Sequence, residues 1–329
     1  MHSIPRHFAM AVLLAISAYS GQAAQRIPRP SRADLEQLVG AEVAARGTRL
    51  AWEASEPPST NPAIYKVEPS QFNESLLRKI ADHFALVGDI TPIPQDLVSA
   101  PGYWIKEPNP TNTLKWRCVV FSVAQGNVGY YSGDDGYRYD PLTRRHNIRG
   151  VPEKEEAFVQ ALELLPLLNL STNDLEHRPD GRLKWSSGVS EIGYFDRESN
   201  ERKRTVKRRD VSFFQRVPGG GTTTGVGDGG QLRIGFVSEG KVSDIECLFR
   251  KMVKVGEARP KTSKEIMSDI DRGRAWTWRA NVPSSLSISN CAVAYPQGNS
   301  EFHQEYVWPF YMLASPDGGG TTLYAPLDW

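Results

Sequence analysis

The chain has 329 residues, 40% hydrophobic and 23% charged, enough for real cores in one large domain or two to three small ones. Its 39 Lys and Arg nearly balance 38 Asp and Glu, and a formal net charge of +1 leaves no global electrostatic case for nucleic acid or an anionic membrane. Three cysteines, Cys118, Cys247 and Cys291, are too few for a disulfide scaffold. All lie in apolar strand patterns, which favours buried free thiols, with one disulfide plus a spare thiol left open.

In chain order, Arg6 precedes an apolar run, Phe8 to Ala18, of signal-peptide core length, and small residues follow at Gly21, Ala23 and Ala24. Residues 1–24 are read as a removed signal peptide, so the mature chain is expected to be secreted or periplasmic with no membrane span. Residues 25–60 read as a leader or linker carrying a short helix, Arg32–Ala45, with Ser31 and Asp34 as a capping box. A pattern then recurs. Helix Ser70–Val87 precedes strands GYWIKE, LKWRCVVFSV and VGYYSG. Helix Pro152–Leu168 precedes KWSSGVSEIGYF, TVKRRDVSFFQRV, QLRIGFV and VSDIECLF. Helix Ser263–Arg272 precedes AWTWRANV, SLSISNCAVAY, QEYVWPFYML and TTLYAP. Each helix has one apolar stripe, and the strands are rich in β-branched and aromatic residues. The expected fold class is α+β, as tandem units of one helix packed on an antiparallel sheet. The units span 61–150, 151–260 (with a glycine-rich loop) and a shorter 261–329.

Candidate chemistry is sparse. Gly225, Gly227 and Gly230 satisfy G-x-G-x-x-G, but a dinucleotide site needs a helix to start at the glycines, and here the strand QLRIGFV follows. The glycines are therefore read as a flexible connection between antiparallel strands. No cofactor and no metal are expected. His83, His146, His177 and His303 lack metal spacing, Asp134, Asp135 and Asp140 lack the calcium-loop spacing, and Asp317–Gly320 reads as a turn. There is no G-x-S-x-G elbow, and no catalytic residue is assigned. The basic run ERKRTVKRRD places Arg202, Lys203, Arg204, Lys207, Arg208 and Arg209 on a strand that can be a solvated face, an edge, or a surface for an acidic partner. Trp276, Trp278, Trp308, Phe310 and Tyr311 concentrate aromatics near the C-terminus, for a sheet core or a binding groove. Trp308 and Tyr311 join the basic residues as candidate partner contacts.

Several short stretches add up to a resemblance. They are AIYKV before a helix ending IADHFALVGDI, the helix PEKEEAFVQALELL, the pair VSFFQRVPGG and LRIGFVSEGKVSDI, the helix KTSKEIMSDIDRGRA, and the closing CAVAY and QEYVWPFYML. Over residues 63–315 this order resembles exported PepSY-like proteins, and more closely the bacterial group related to the YycH and YycI regulatory proteins. Ile266 departs from that group's usual small Ala. The resemblance implies a regulatory or inhibitory binding module outside the cytoplasmic membrane, in some cases toward peptidases, with no catalytic residues to carry over. The YycH and YycI proteins are membrane-anchored, whereas no membrane-length apolar run follows the signal segment here.

The expected function is thus an exported, non-enzymatic binding protein for a protein or peptide partner, engaged through sheet edges and loops by strand addition. The alternative is a secreted hydrolase or carbohydrate-binding protein with an aromatic cleft. A third reading is a polyanion surface at Arg202–Arg209.

Overall fold

The structure, a computed structural model, describes residues 27–42, 49–70, 72–94, 101–107, 116–123, 126–133, 139–140, 145–146, 150–196, 199–225, 229–278, 282–298, 303–316 and 321–328. The expected signal peptide, residues 1–24, lies outside the described residues. Of the helices, α1 is Arg32–Val39, α2 is Glu74–His83, α3 is Lys154–Glu163 and α4 is Ser263–Asp271. Their starts follow local capping chemistry. Ser31 and Asp34 exchange hydrogen bonds at the head of α1, as do Thr262 and Glu265 at α4, and Asn73 accepts from Leu76 N at α2. Helix α3 is shorter than expected because Pro166 follows, and the chain tightens into a 3₁₀ turn, Leu165–Leu168.

Tandem single-helix units are not what the chain builds. It is mostly sheet, and the strands expected in two separate units join into one eight-stranded antiparallel sheet. Its spatial order is Trp185–Asp196, Glu201–Phe214, Gln231–Phe236, Val242–Cys247, Asn127–Ser132, Arg117–Ser122, Gly102–Lys106 and Ile90–Pro92. The seam is the pairing of Asp244 to Cys247 with Tyr131 to Val128. Two small sheets would each leave an edge of unpaired N–H and C=O groups. Pairing those edges satisfies them and makes the apolar faces continuous. One row of side chains crosses seven strands in register: Val211, Ile234, Ile245, Tyr130, Val119, Ile105 and Ile90. A second row runs through Phe213, Leu232, Cys247, Val128, Phe121 and Tyr103. Helices α2 and α3 both cover this one face, through Leu77, Ile80, Ala157 and Ala161, and close a single core.

A second, six-stranded sheet is ordered Ala41–Glu42, Trp276–Thr277, Thr321–Pro326, Phe310–Ser315, Asn290–Gln297 and Thr222–Gly225. The segment read as leader or linker is part of it. Helix α1 buries Leu35, Leu38 and Val39 in the same core as Ile266 and Ile270 of α4, Phe310, Tyr311 and Leu323. A three-stranded sheet, Met252–Glu257, Ala63–Val67 and Tyr306–Val307, lies in the same body, and Ser285–Ile288 pairs in parallel with Arg49–Trp52.

The glycine-rich connection joins the antiparallel strands Glu201–Phe214 and Gln231–Phe236, as expected, but it is more than a flexible loop. Thr222–Gly225 crosses to the second sheet and pairs in parallel with Ala294–Gln297. The crossing needs glycine. Gly221 has φ +95°, and a Cβ there would lie 2.6 Å from the Tyr295 ring. Where the chain returns, a Cβ on Gly230 (φ +65°) would lie 2.5 Å from Thr223. Beneath the crossing, buried side chains stitch the sheets together. Gln215 Nε2 donates to Arg250 O at 2.5 Å, Arg250 donates to Gln297 Oε1 at 3.4 Å and to Gly298 O at 2.9 Å, and Gln304 Nε2 donates to Pro296 O at 3.1 Å.

Candidate functional site

The three sheets meet around a cleft of about 1250 Å³. Its floor is one face of the three-stranded sheet, with Ala63, Tyr65, Met252 and Lys254, continued by Val293 and Tyr295. Lys184, Trp185 and Phe214, at the base of the long hairpin, make one wall, and Pro218–Gly221 make another. The aromatic floor is fixed in place: Tyr65 and Tyr295 meet edge to face at 5.6 Å, and Tyr65 Oη donates to Pro218 O at 3.2 Å. Burial raises both phenols, and for Tyr295 the neighbouring Tyr65 adds to it.

The polar groups of the cleft converge on Glu176. Its carboxylate accepts from Lys184 Nζ at 2.8 Å, Thr222 Oγ1 at 2.5 Å and the Thr223 N–H at 3.1 Å. Lys184 also donates to Thr222 Oγ1 at 3.0 Å and stands 4.9 Å from the centre of the Phe214 ring. Its side chain keeps 29% of its surface exposed, while that of Glu176 keeps 9%. The pair therefore presents an ammonium rather than a carboxylate to the cleft. Burial, then Glu56, pushes the Cys291 thiol up to about 12, so it stays protonated at neutral pH and is a poor nucleophile. Cys118 and Cys247 are buried, and all three cysteines are free.

The sequence-expected contacts fall elsewhere and are scattered. Strands Trp185–Asp196 and Glu201–Phe214 pair with each other along their length, but Gln231–Phe236 covers only Arg209–Phe214. The remainder is a two-stranded arm that carries Arg202, Lys203 and Arg204, with Phe195 55% exposed. Arg204 lies 3.6 Å from Glu191 across the arm. Lys207 is the extra residue of a bulge at the arm's base, where Ser190 faces Arg208 and Glu191 faces Val206. Arg208 and Arg209 belong to the body. Arg208 bridges Asp210 at 2.5 Å and Asp244 at 2.8 Å, and Arg209 donates to Pro152 O at 2.7 Å. Trp308 and Tyr311 are core residues, 5% and 0% exposed, because they pack among α1, α4 and the second sheet. Trp308 Nε1 donates to Pro28 O, and Tyr311 Oη accepts from Lys261 N. Neither is presented to a partner.

Sequence reasoning missed Tyr65, Glu176, Lys184, Trp185 and Tyr295 as a group. They span some 230 positions and share no motif, so only the strand pairings bring them together. Among the described residues no group of three or more His, Cys, Asp and Glu side chains could hold a metal ion, and no helix is long and apolar enough to cross a membrane. Asp134, Asp135, the Asp140 side chain and Asp317–Gly320 lie outside the described residues.

No family model matches the chain, and no curated protein matches it. Two solved structures are similar at 12% identity. One is an uncharacterized protein from Eubacterium rectale, with a TM-score of 0.41 over 84% of this chain and 86% of that one. The other is the YpeB C-terminal domain of Bacillus megaterium, with a TM-score of 0.37 over 79% of this chain and 94% of that one. At these values the likeness is one of general outline and assigns neither a family nor a function.

Proposed function

We propose that this is an exported, non-enzymatic binding protein that takes an extended segment of a partner protein into the three-sheet cleft. The supporting observation is the cleft itself: about 1250 Å³, floored by Met252 and Val293 over the buried Tyr65 and Tyr295, with Glu176, Lys184 and Thr222 already bound to one another. Concave, largely apolar sites with a few placed polar groups are the usual form of ligand sites. A hydrolase working here would first have to free Glu176 from three donors. Export rests on the Phe8–Ala18 apolar run behind Arg6. The arm residues Arg202, Lys203 and Arg204 offer a second contact. They lie at the far end of the hairpin whose base is Trp185, about 30 Å away at strand rise, so they suit a folded partner rather than a short peptide.

The test is a selection of displayed random octapeptides on the mature protein, repeated on Val293→Arg, which places a long cation in the cleft. Peptides are expected to enrich on the wild type and to bind the variant at least tenfold more weakly, with the variant still folded by far-UV dichroism at the assay temperature. Equal binding to both proteins would sink the reading.

A further inference from the structure

The Asn290–Gln297 strand is covered unevenly. On one side, Asn290–Ala294 pairs antiparallel with Phe310–Ala314. On the other, Thr222–Gly225 pairs in parallel with Ala294–Gln297 and stops there. Among the described residues no strand lies beside Cys291–Val293 on that second side, and these residues line the cleft. The chain that would have continued the covering strand turns away at Gly219, Gly220 and Gly221, with φ of +123°, +90° and +95°.

The direction of the backbone groups follows from one hydrogen bond. The Thr223 N–H donates to Glu176 rather than into the sheet, so Thr222 and Thr224 carry the parallel ladder. In a parallel pair, the residue that faces its neighbour bonds to the positions either side of its partner. With Thr222 opposite Ala294, the cleft-facing groups of the longer strand are on odd-numbered residues. Cys291 thus points its N–H and C=O, and Val293 its N–H, toward the cleft. The exposed edge is about 10 Å long at strand rise.

Charge indicates what would lie along it. The cleft is lined by Arg178, Lys184 and Lys254 against the one carboxylate of Glu176, and Lys254 is itself paired with Glu257. Lys184 sits where the vacant strand position meets Thr222, through its bond to Thr222 Oγ1.

We propose that the ligand of the cleft is an extended, acidic peptide segment that adds to the Cys291–Val293 edge as a strand, collinear with Thr222–Gly225. This rests on the peptide-binding reading above and specifies its mode. The guest donates to the Cys291 carbonyl and accepts from the Cys291 and Val293 N–H groups. Alternate guest side chains lie on Met252 and Val293, above the buried Tyr65, and a guest carboxylate reaches Lys184.

The experiment uses octapeptides enriched on the mature protein, resynthesised with one backbone N-methyl group at each position in turn. Strand addition predicts an alternating profile: methylation at the donating residue weakens binding at least tenfold, and methylation at the next residue is tolerated. The acidic part predicts enrichment of Asp or Glu, with Asp→Asn in the peptide weakening binding at least fivefold and Lys184→Gln erasing that difference. A flat methylation profile, or selected peptides without acidic residues, overturns this proposal and leaves peptide binding standing. Failure of any peptide to enrich over the Val293→Arg control overturns both.

Discussion

The two large sheets are assembled in opposite ways. The eight-stranded sheet draws every strand from residues 90–247, and most neighbours in space are also neighbours in sequence. The six-stranded sheet gathers Ala41–Glu42, Thr222–Gly225 and four strands between Trp276 and Pro326. The first is built by hairpins, whereas the second is closed by visitors from outside its own stretch of chain. The visitor Thr222–Gly225, with the buried Gln215, Arg250 and Gln297 network beneath it, joins the two cores. The cleft exists because that join is incomplete: the visiting strand covers half of its host and leaves the rest as an edge.

If the join is rigid, the two cores unfold together. Phe213 and Phe310 are both fully buried, one in each core. Phe213→Ala and Phe310→Ala should each cost about 3–5 kcal/mol. Each should lower one common transition, followed by denaturant titration with far-UV dichroism and tryptophan fluorescence in parallel. Two separated transitions, each moved by only one of the substitutions, would show that the sheets are independent bodies. Gly221→Ala acts on the join itself. With φ at +95° and the Tyr295 ring in the way, it should cost about 1–2 kcal/mol or more. It should also separate the two probes, if the glycine crossing couples the sheets.

The same contrast explains what was legible in the sequence. The helix start at Ser31 was readable, and that near Ser263 to within a residue, because capping is a matter of three residues. Strands such as Gln231–Phe236 and Val242–Cys247 were readable because their apolar pattern and the turn between them are local. The pairing of Cys247 with Val128 was not, since an edge strand carries no mark of the partner it will take. That is why two expected units proved to be one sheet. The strand that follows the glycine segment was visible in the sequence, yet the crossing of that segment to Ala294–Gln297 was not. Site residues were the least legible. Trp308 and Tyr311 looked like contacts by residue type, and only burial distinguishes a core aromatic from a surface one. Tyr65 and Tyr295 look no different in sequence and are also buried, each 2% exposed, where they support the cleft floor from beneath.

Acid tests the large sheet by itself, and more gently. At the far side of the large sheet, Glu107 is hydrogen-bonded and ion-paired to Arg117, which holds its carboxyl below the usual range. A carboxylate with a depressed folded pKa contributes stability above its unfolded pKa of about 4.3 and loses it as pH falls through the folded value. Glu107→Gln should therefore flatten the acid limb of the stability profile below about pH 4.3. An unchanged limb would show that Arg117 does not stabilise the ionised form.

The smallest expected effect compares two residues of one basic run. Arg204 sits on the arm with 80% of its side chain exposed, near Glu191, and such surface pairs contribute about 0–1 kcal/mol. Arg208, four residues on, bridges Asp210 and the buried Asp244, whose side chain is 8% exposed. Removing it leaves a buried carboxylate short of its donor, at about 1–3 kcal/mol or more. Arg204→Ala should leave the melting temperature within error and weaken only the capture of an acidic folded partner. Arg208→Ala should lower the melting temperature whether or not a partner is present. The run reads as one motif in sequence, but the bulge at Lys207 divides it into an exposed two-stranded arm and a part packed into the body. Equal stability loss from the two substitutions would mean that the arm packs like the body, and the arm would then no longer qualify as a contact surface.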